Sequence, residues 1–414
     1  MAAGNFLEAY DFQVFGYYAA AVGLTFFPSS NPYASLMLSL TTFGAGFVMR
    51  PLGAIVLGAY IDHHGRRSGL LLTLSLMALG TFSIACTPGY TTIGLIAPLL
   101  VLAGRLLQGL SAGAELGGVS VYLAEIATPA RQGVFVSWQS ATQQVAVVFA
   151  ALLGLILTSA VSRDNMTRWG WRIPLMVGCI MIPFVFRLRR SLEETDAFQA
   201  RKHRSTMSQI VRTLATHWRL VLLAMMMSTM VTVCFYMITA YTPTFGSSVL
   251  HLTNTASLAV TLCVGVSNFF WVPVMGALSD KVGRRPLLFA CAILTLLTAY
   301  PALLWLVSAP SFSRLLAVEL WLSLMFGGYS GGLIVYMTEI MPIEVRTAAL
   351  SLAFTLATAI FGGFTPAICT YLIHVTGNRA MPGAWLSAAA ACGLIAVLAL
   401  SEARTEPRHA SAAV

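Results

Sequence analysis

Twelve stretches of the chain are apolar for long enough to cross a lipid bilayer, and this leaves few folds open. Broken at Gly, Pro or charge, the runs fall at about 5–27, 33–60, 68–88, 94–124, 134–158 and 171–188, then 218–245, 254–279, 286–307, 313–338, 347–375 and 381–401. A spanning helix needs roughly 20 apolar residues. Backbone groups in lipid must be satisfied within the segment, so continuous runs predict helices, where a barrel would show alternation. Of the 414 residues 57% are hydrophobic and 9% charged, with a mean hydropathy of +0.80. That leaves too little polar surface for a water-soluble globule, which excludes a soluble enzyme and a disordered chain. The expected fold is all-α and integral to the membrane. Seven cysteines lie scattered through apolar runs without CxxC spacing, so neither a disulfide framework nor a metal site is expected. The first run carries Glu8 and Asp11 and lacks a basic leader, so no cleavable signal is expected.

The positions of the charges explain the net +9. With both termini in the cytoplasm, 17 of the 24 Lys and Arg fall on that side, five fall outside, and Arg50 and Arg105 remain within spans. This is the positive-inside pattern, so the basic surplus faces a membrane leaflet and no nucleic-acid partner is expected. The longest polar stretch, about 189–217, reads as a cytoplasmic linker between residues 1–188 and 218–401, with a cytoplasmic tail at 402–414.

Those flanking segments are similar to each other. GAYIDHHGRR at Gly58 recurs as GALSDKVGRR at Gly276, 218 residues on, and YLAE at Tyr122 recurs as YMTE at Tyr336, 214 residues on. Two motifs repeating at nearly one offset imply twelve transmembrane helices in two pseudo-symmetric six-helix halves, an arrangement of rocking transporters.

The repeated G-x-x-x-D-x-x-G-R-R loop resembles the signature of the major facilitator superfamily. GNFLEAYDF at Gly4, GFVMRPLGAIVLG at Gly46, GRLLQGLSAGAELGGVSVYLAEIATP at Gly104 and RRSLEETDAF at Arg189 resemble its metabolite–proton symporter family, most closely the bacterial citrate and tricarballylate symporters. The chain begins almost at GNFLE, where that family's cytoplasmic extension is expected to precede it. The resemblance implies proton-coupled symport of a tricarboxylate by a secondary transporter of the bacterial inner membrane. It implies no cofactor beyond protons, and partners limited to the carboxylate substrate and lipid around a monomer. A dicarboxylate such as 2-oxoglutarate, shikimate, or a betaine- or proline-type zwitterion is the alternative cargo. In the repeated loops, Asp62, Arg66, Asp280 and Arg284 are the expected latch of a cytoplasmic gate.

An ionisable residue at bilayer depth costs about 2.5–3.5 kcal/mol on insertion scales, so each such residue needs a reason. Arg105 lies about 30 Å of helix before Glu125, in the central to outer part of the fourth run. Its planar fork suits a carboxylate. Asn5, Glu8 and Asp11 share one face of the first run. Asp11 is the expected partner of Arg105, at a depth that demands a kink or tilt, and Asp11, Glu8 and Glu115 are the candidate proton-coupling acids. Arg50 and Glu115 fall at similar depth, and a structural bridge between them near the cytoplasmic gate reads equally well as a functional role; Glu319 is expected to be wetted near the outer end of its run. Gln108, Gln139, Gln143, Tyr236, Asn268 and Tyr329 are candidate substrate contacts, each of which reads equally well as a helix–helix hydrogen bond. GLSAG at Gly109 matches a hydrolase nucleophile pattern. It sits mid-helix with no preceding strand, and reads instead as a small-residue packing face.

Overall fold

The computed structural model describes residues 2–64, 66–113, 120, 123–124, 127–128, 131–190, 216–341 and 346–405, and all regular structure among them is helical. Ten of the described helices are long and apolar enough to cross a membrane. The pair Ala2–Tyr17 and Ala19–Phe26 forms the first span, and the shorter Ile96–Ala112 is the described part of the fourth. The others of the first half are Pro32–His64, Arg66–Cys86, Gln132–Ala160 and Arg172–Arg190. Most of the expected linker, residues 191–215, lies outside the described residues, as does 406–414 of the tail.

The second half opens with Trp218–Tyr236, which runs on through a π-helical stretch, Met237–Tyr241, the single turn Thr242–Thr244 and a second π-helical stretch, Phe245–Val249. Pro243 supplies a cause, because it lacks an N–H and its ring crowds the preceding turn. Asn254–Val282, Arg284–Ser308 and Phe312–Ile340 follow as spans eight to ten. Span eleven is again interrupted, as Arg346–Ala357, the π-helical Thr358–Gly362 and Thr365–Thr376, and Met381–Thr405 is the twelfth.

Each half has its own buried apolar cluster. One gathers Tyr10, Phe12, Phe15, Phe43, Phe47, Ile84, Val101 and Trp171 from the first six spans. The other gathers Met230, Cys234, Leu288, Leu322, Tyr329, Val335 and Leu386 from the last six. Within the first half, spans two and four approach backbone to backbone. A Cβ added to Gly109 would lie 1.6 Å from the Gly46 carbonyl oxygen, so GLSAG is indeed a packing face.

The halves meet at both ends of the molecule. At the end bearing the repeated loops, Asp280 accepts hydrogen bonds from the backbone N–H groups of Gly133 (2.8 Å) and Val134 (3.1 Å). These are orphan donors of the first turn of span five, whose own cap residue Arg131 supplies no side-chain bond, so a carboxylate from the opposite half caps that helix and meets its dipole. Arg284 holds Asp280 at 2.5 Å and Glu339 at 3.2 Å. At the far end, the rings of Tyr33 and His374 stack with centroids 3.8 Å apart. Nearer the middle, Gln13 donates to the Thr239 hydroxyl across the halves at 3.1 Å.

Candidate functional site

Between those two closures the first span presents a row of side chains one helical turn apart. Its face carries Asn5, Glu8 and Asp11, as the three-residue spacing predicts. Asp11 and Arg105 are fully buried, yet they do not touch as a direct ion pair, which corrects the sequence expectation. A relay joins them instead. The Thr81 hydroxyl makes a very short hydrogen bond to Asp11 Oδ2. Gln108 Nε2 donates to Thr81 Oγ1 at 3.0 Å, and Arg105 Nη1 donates to Gln108 Oε1 at 2.8 Å. Arg105 Nη2 reaches the Phe43 carbonyl at 3.3 Å. The relay absorbs the depth difference between acid and arginine. The break in the first span lies further along, at Tyr18, and plays no part in their meeting.

Within this relay, two buried polar atoms have no hydrogen-bond partner among the described residues: Asp11 Oδ1 and Arg105 Nε. Such buried, unpartnered groups are rare in proteins and mark places where another partner is used. The Arg105 guanidinium is otherwise walled by aromatic faces, with Phe12, Phe15 and Phe43 ring centroids at 4.2, 4.6 and 5.2 Å. Arg50 lies on the same Phe12 ring, 4.7 Å from its centroid, and against Phe47 at 4.5 Å. One benzene ring therefore has a guanidinium at each of two approaches, an arrangement that disperses like charge through cation–π contact.

Arg50 pairs with Glu8 at 2.9 Å. Glu8 lies one turn from Asp11 on the same helix; Glu115, named from the sequence as a possible partner of Arg50, lies outside the described residues. Tyr236 packs its ring edge-on to Phe47 at 4.9 Å and Phe43 at 6.1 Å, within electrostatic reach of Glu8, Arg50 and Arg105. Gln143 donates to Asn5 at 2.9 Å, and Gln139 makes a very short hydrogen bond with Ser120.

Other candidates sit elsewhere. Asn268 is fully buried between the halves, donating to Gln144 on span five at 3.1 Å and accepting from Ser323 on span ten at 2.7 Å, so in this conformation it is a helix–helix tie. Tyr329 does not join Arg105: it points into the apolar core of the second half, beside Met230 and Gly393, with its hydroxyl unpartnered. Glu319, expected to be wetted, is 5% exposed and accepts from Thr242 at 2.8 Å. Asp280 and Arg284 form an ion pair, while the side chains of Asp62 and Arg66 lie outside the described residues. Among the described residues no three His, Cys, Asp or Glu side chains gather as a metal site.

Two contributors escaped the sequence reading. Thr81, on span three, carries the link between acid and arginine, and Gly178, on span six, lies so near that a Cβ there would fall 2.8 Å from Asp11 Oδ1. Neither residue type is unusual in a membrane helix, so only proximity singles them out.

The chain has relatives among known proteins. The sequence is 59% identical to the citrate-proton symporter of Klebsiella pneumoniae over 95% of this chain and 88% of that protein, and 55% identical to the citrate-proton symporter of Salmonella typhi over 96% and 92%. The fold superposes on the xylose transporter XylE of Escherichia coli, in a partially occluded inward-open conformation, with a TM-score of 0.77 at 17% identity over 98% of this chain and 96% of that one. The family profile of the Major Facilitator Superfamily matches residues 1–357. Twelve spans, two similar halves, the repeated acid–arginine loop and that match agree, and the chain belongs to the major facilitator superfamily of secondary transporters.

Proposed function

We propose that this protein carries citrate, or a closely similar tricarboxylate such as tricarballylate, into a bacterial cell together with protons by alternating access. The observation that carries the reading is the fully buried relay Asp11–Thr81–Gln108–Arg105, which couples a protonatable acid to a carboxylate-binding guanidinium. With Asp11 ionised, the Thr81 hydrogen points to it, and the Thr81 oxygen is free to accept from Gln108. That bond fixes the amide so that its carbonyl oxygen holds Arg105. When Asp11 takes a proton, it becomes a donor to the second lone pair of the same Thr81 oxygen, and the Thr81 hydrogen turns from a carboxylate to the neutral Met77 carbonyl at 3.0 Å, which makes that oxygen a weaker acceptor for Gln108. Gln108 loosens, and Arg105 turns its fork to a substrate carboxylate. Arg50, across the Phe12 ring, stands ready for a second carboxylate, with Glu8 as the counter-ion it exchanges. Gln139, Gln143 and Tyr236 border this site.

A cargo with several carboxylates fits two guanidiniums better than a betaine, whose ammonium would be repelled by both. The identity to two citrate-proton symporters supports the same choice. Coupling is also a physical requirement. Moving a trivalent anion inward against 100 mV, negative inside, costs about 7 kcal/mol at roughly 2.3 kcal/mol per charge. Both termini, the linker 189–217 between the six-helix halves 1–188 and 218–401, and the tail 402–414 face the cytoplasm in this reading. The Asp280–Arg284 contact then shuts the cytoplasmic gate. The transporter works as a monomer, with protons as its only coupling ion and no cofactor.

The test is uptake of radiolabelled citrate into proteoliposomes under an inward proton gradient, with unlabelled tricarballylate, 2-oxoglutarate, shikimate and betaine as competitors. Gradient-dependent accumulation suppressed by tricarballylate is the expected result. Active vesicles that accumulate a competitor and not citrate would overturn the substrate assignment.

A further inference from the structure

One interior carboxyl takes no part in the Arg105 arrangement. Glu319 lies seven residues into Phe312–Ile340, the tenth span, and is buried among the helices of the second half. Its Oε1 is 2.8 Å from the Thr242 hydroxyl, while its Oε2 has no hydrogen-bond partner among the described residues. Glu319 belongs to none of the described ion pairs, which involve Glu8, Asp280 and Glu339. Spans five, seven, eight, nine and eleven pack against span ten, and the titratable group they turn toward Glu319 is the Cys234 thiol on span seven; no described charged side chain from them acts on it. A bare carboxylate in such a place is unfavourable, because neither a cation nor a second donor offsets its lost hydration.

The hydroxyl it meets provides an alternative. Thr242 Oγ1 lies 3.0 Å from the Ile238 carbonyl and 3.2 Å from the Met237 carbonyl as well as 2.8 Å from Glu319, and a hydroxyl has one hydrogen to give. If Glu319 is ionised, that hydrogen goes to the carboxylate and the carbonyls lose it. If Glu319 is protonated, the acid donates to Thr242 and Thr242 donates to the Ile238 carbonyl, so each donor of the chain has an acceptor and no charge is left buried. These carbonyls belong to the π-helical stretch Met237–Tyr241, and in its i to i+5 pattern the Ile238 carbonyl falls to Pro243, which has no N–H to give. The same stretch supplies Thr239, whose hydroxyl accepts from Gln13 of span one, two residues beyond Asp11.

We propose that Glu319 is a second proton-carrying carboxyl of the transport cycle, holding a proton while spans seven and ten are closed on each other and releasing it to water when they part. The step is a plain proton transfer: a proton joins the carboxylate from water on one side of the membrane and leaves to water on the other. The proposal rests on the proton-coupled reading above and adds to it a proton site in the second half, remote from the arginines.

Two measurements on the full chain in lipid decide it. In the first, the reversal potential of citrate current gives the protons carried per citrate; Glu319→Gln is expected to carry one fewer than wild type, and an unchanged ratio would overturn the proposal. In the second, infrared difference spectra across pH read the carboxylic-acid carbonyl band directly. Wild type should show a buried protonated acid that Glu319→Gln lacks, and Thr242→Val, which keeps the carboxyl but removes its acceptor, should shift that band in frequency. Should Glu319→Gln fail to fold, the Thr242→Val band shift alone decides. Absence of any such band in wild type, or a band indifferent to Thr242→Val, would overturn the proposal. If wild-type vesicles show no gradient-driven citrate uptake, the functional reading fails, while the infrared titration still tests Glu319 on its own.

Discussion

Asp11 in the first half and Glu319 in the second are buried acids held by the same device in opposite surroundings. Each meets a threonine hydroxyl that also lies within reach of a carbonyl of its own helix: Met77 for Thr81, Ile238 for Thr242. Each leaves its other oxygen without a partner among the described residues. Beyond the threonine the two diverge. Thr81 accepts from Gln108 and so connects Asp11 to a buried guanidinium, whereas Thr242 leads only to backbone. The difference teaches that a buried acid by itself stores a proton, and that a relay to a cation is needed before the proton can alter what the site binds.

Breaking the cationic end should have the largest effect. Arg105→Gln removes the charge that the relay serves and leaves Gln108 Oε1 without its donor. Truncating one member of a buried hydrogen-bonded charged pair costs about 2–5 kcal/mol, so citrate affinity should fall at least about 30-fold. Equilibrium binding in detergent or nanodiscs measures it directly. A loss below about threefold would mean that Arg105 is structural and that the asymmetry between the halves carries no recognition.

Asp11→Asn comes next, because it should abolish one activity and spare another. Asparagine cannot exchange a proton, so accumulation under a proton gradient should collapse to equilibration, while citrate-for-citrate exchange persists. Accumulation equal to wild type would discard Asp11 as a coupling group, and would leave Glu319 as the acid to test.

The two threonines sharpen the comparison. Thr81→Val deletes the middle of the relay and strands a donor of Gln108, a loss of about 1–3 kcal/mol or roughly tenfold in citrate affinity. Thr242→Val, with no arginine beyond it, should leave citrate affinity within about twofold and act on proton handling alone. Equal losses of affinity in isothermal titration of the two variants would show that both acids bear on the substrate and would erase the distinction drawn here.

Much of this arrangement is legible in the residues before any coordinates. Apolar run length dictates the spans, because lipid leaves the backbone no other partner, and the cost of burial marks Arg105, Asp11 and Glu8 as residues with a purpose. Neutral polar groups are harder. Thr81 resembles any threonine bonding back to its own helix, as the hydroxyls of Thr25, Thr42 and Thr87 do. Helical periodicity also fails where a span is buried all round. In Phe312–Ile340, 83% of the apolar window is buried, so no face is distinguished by hydrophobicity. That is why Tyr329 reads as a site residue and lies in the core, and why Glu319 reads as wetted and is enclosed.

The smallest effect expected is also the most local. Gly178 on span six faces Asp11 with no side chain, and a Cβ there would stand 2.8 Å from Asp11 Oδ1 and 3.4 Å from Tyr10 Cε1. The first distance is several tenths of an ångström inside ordinary contact, so Gly178→Ala must displace the carboxylate or tilt the span, a strain of about 1 kcal/mol. The methyl would also cover the one oxygen of Asp11 that has no partner among the described residues, keeping out any donor or water that serves it during proton exchange. Gradient-driven uptake should therefore slow by roughly fivefold while citrate exchange changes by less than twofold, because the obstruction touches the acid and not the arginine. Parallel uptake and exchange assays on one preparation distinguish the outcomes. An equal drop in both would mean that the crowding passes through Thr81 and Gln108 to Arg105, and that the relay moves as one rigid unit rather than as an acid and a cation joined by a hydroxyl that can turn.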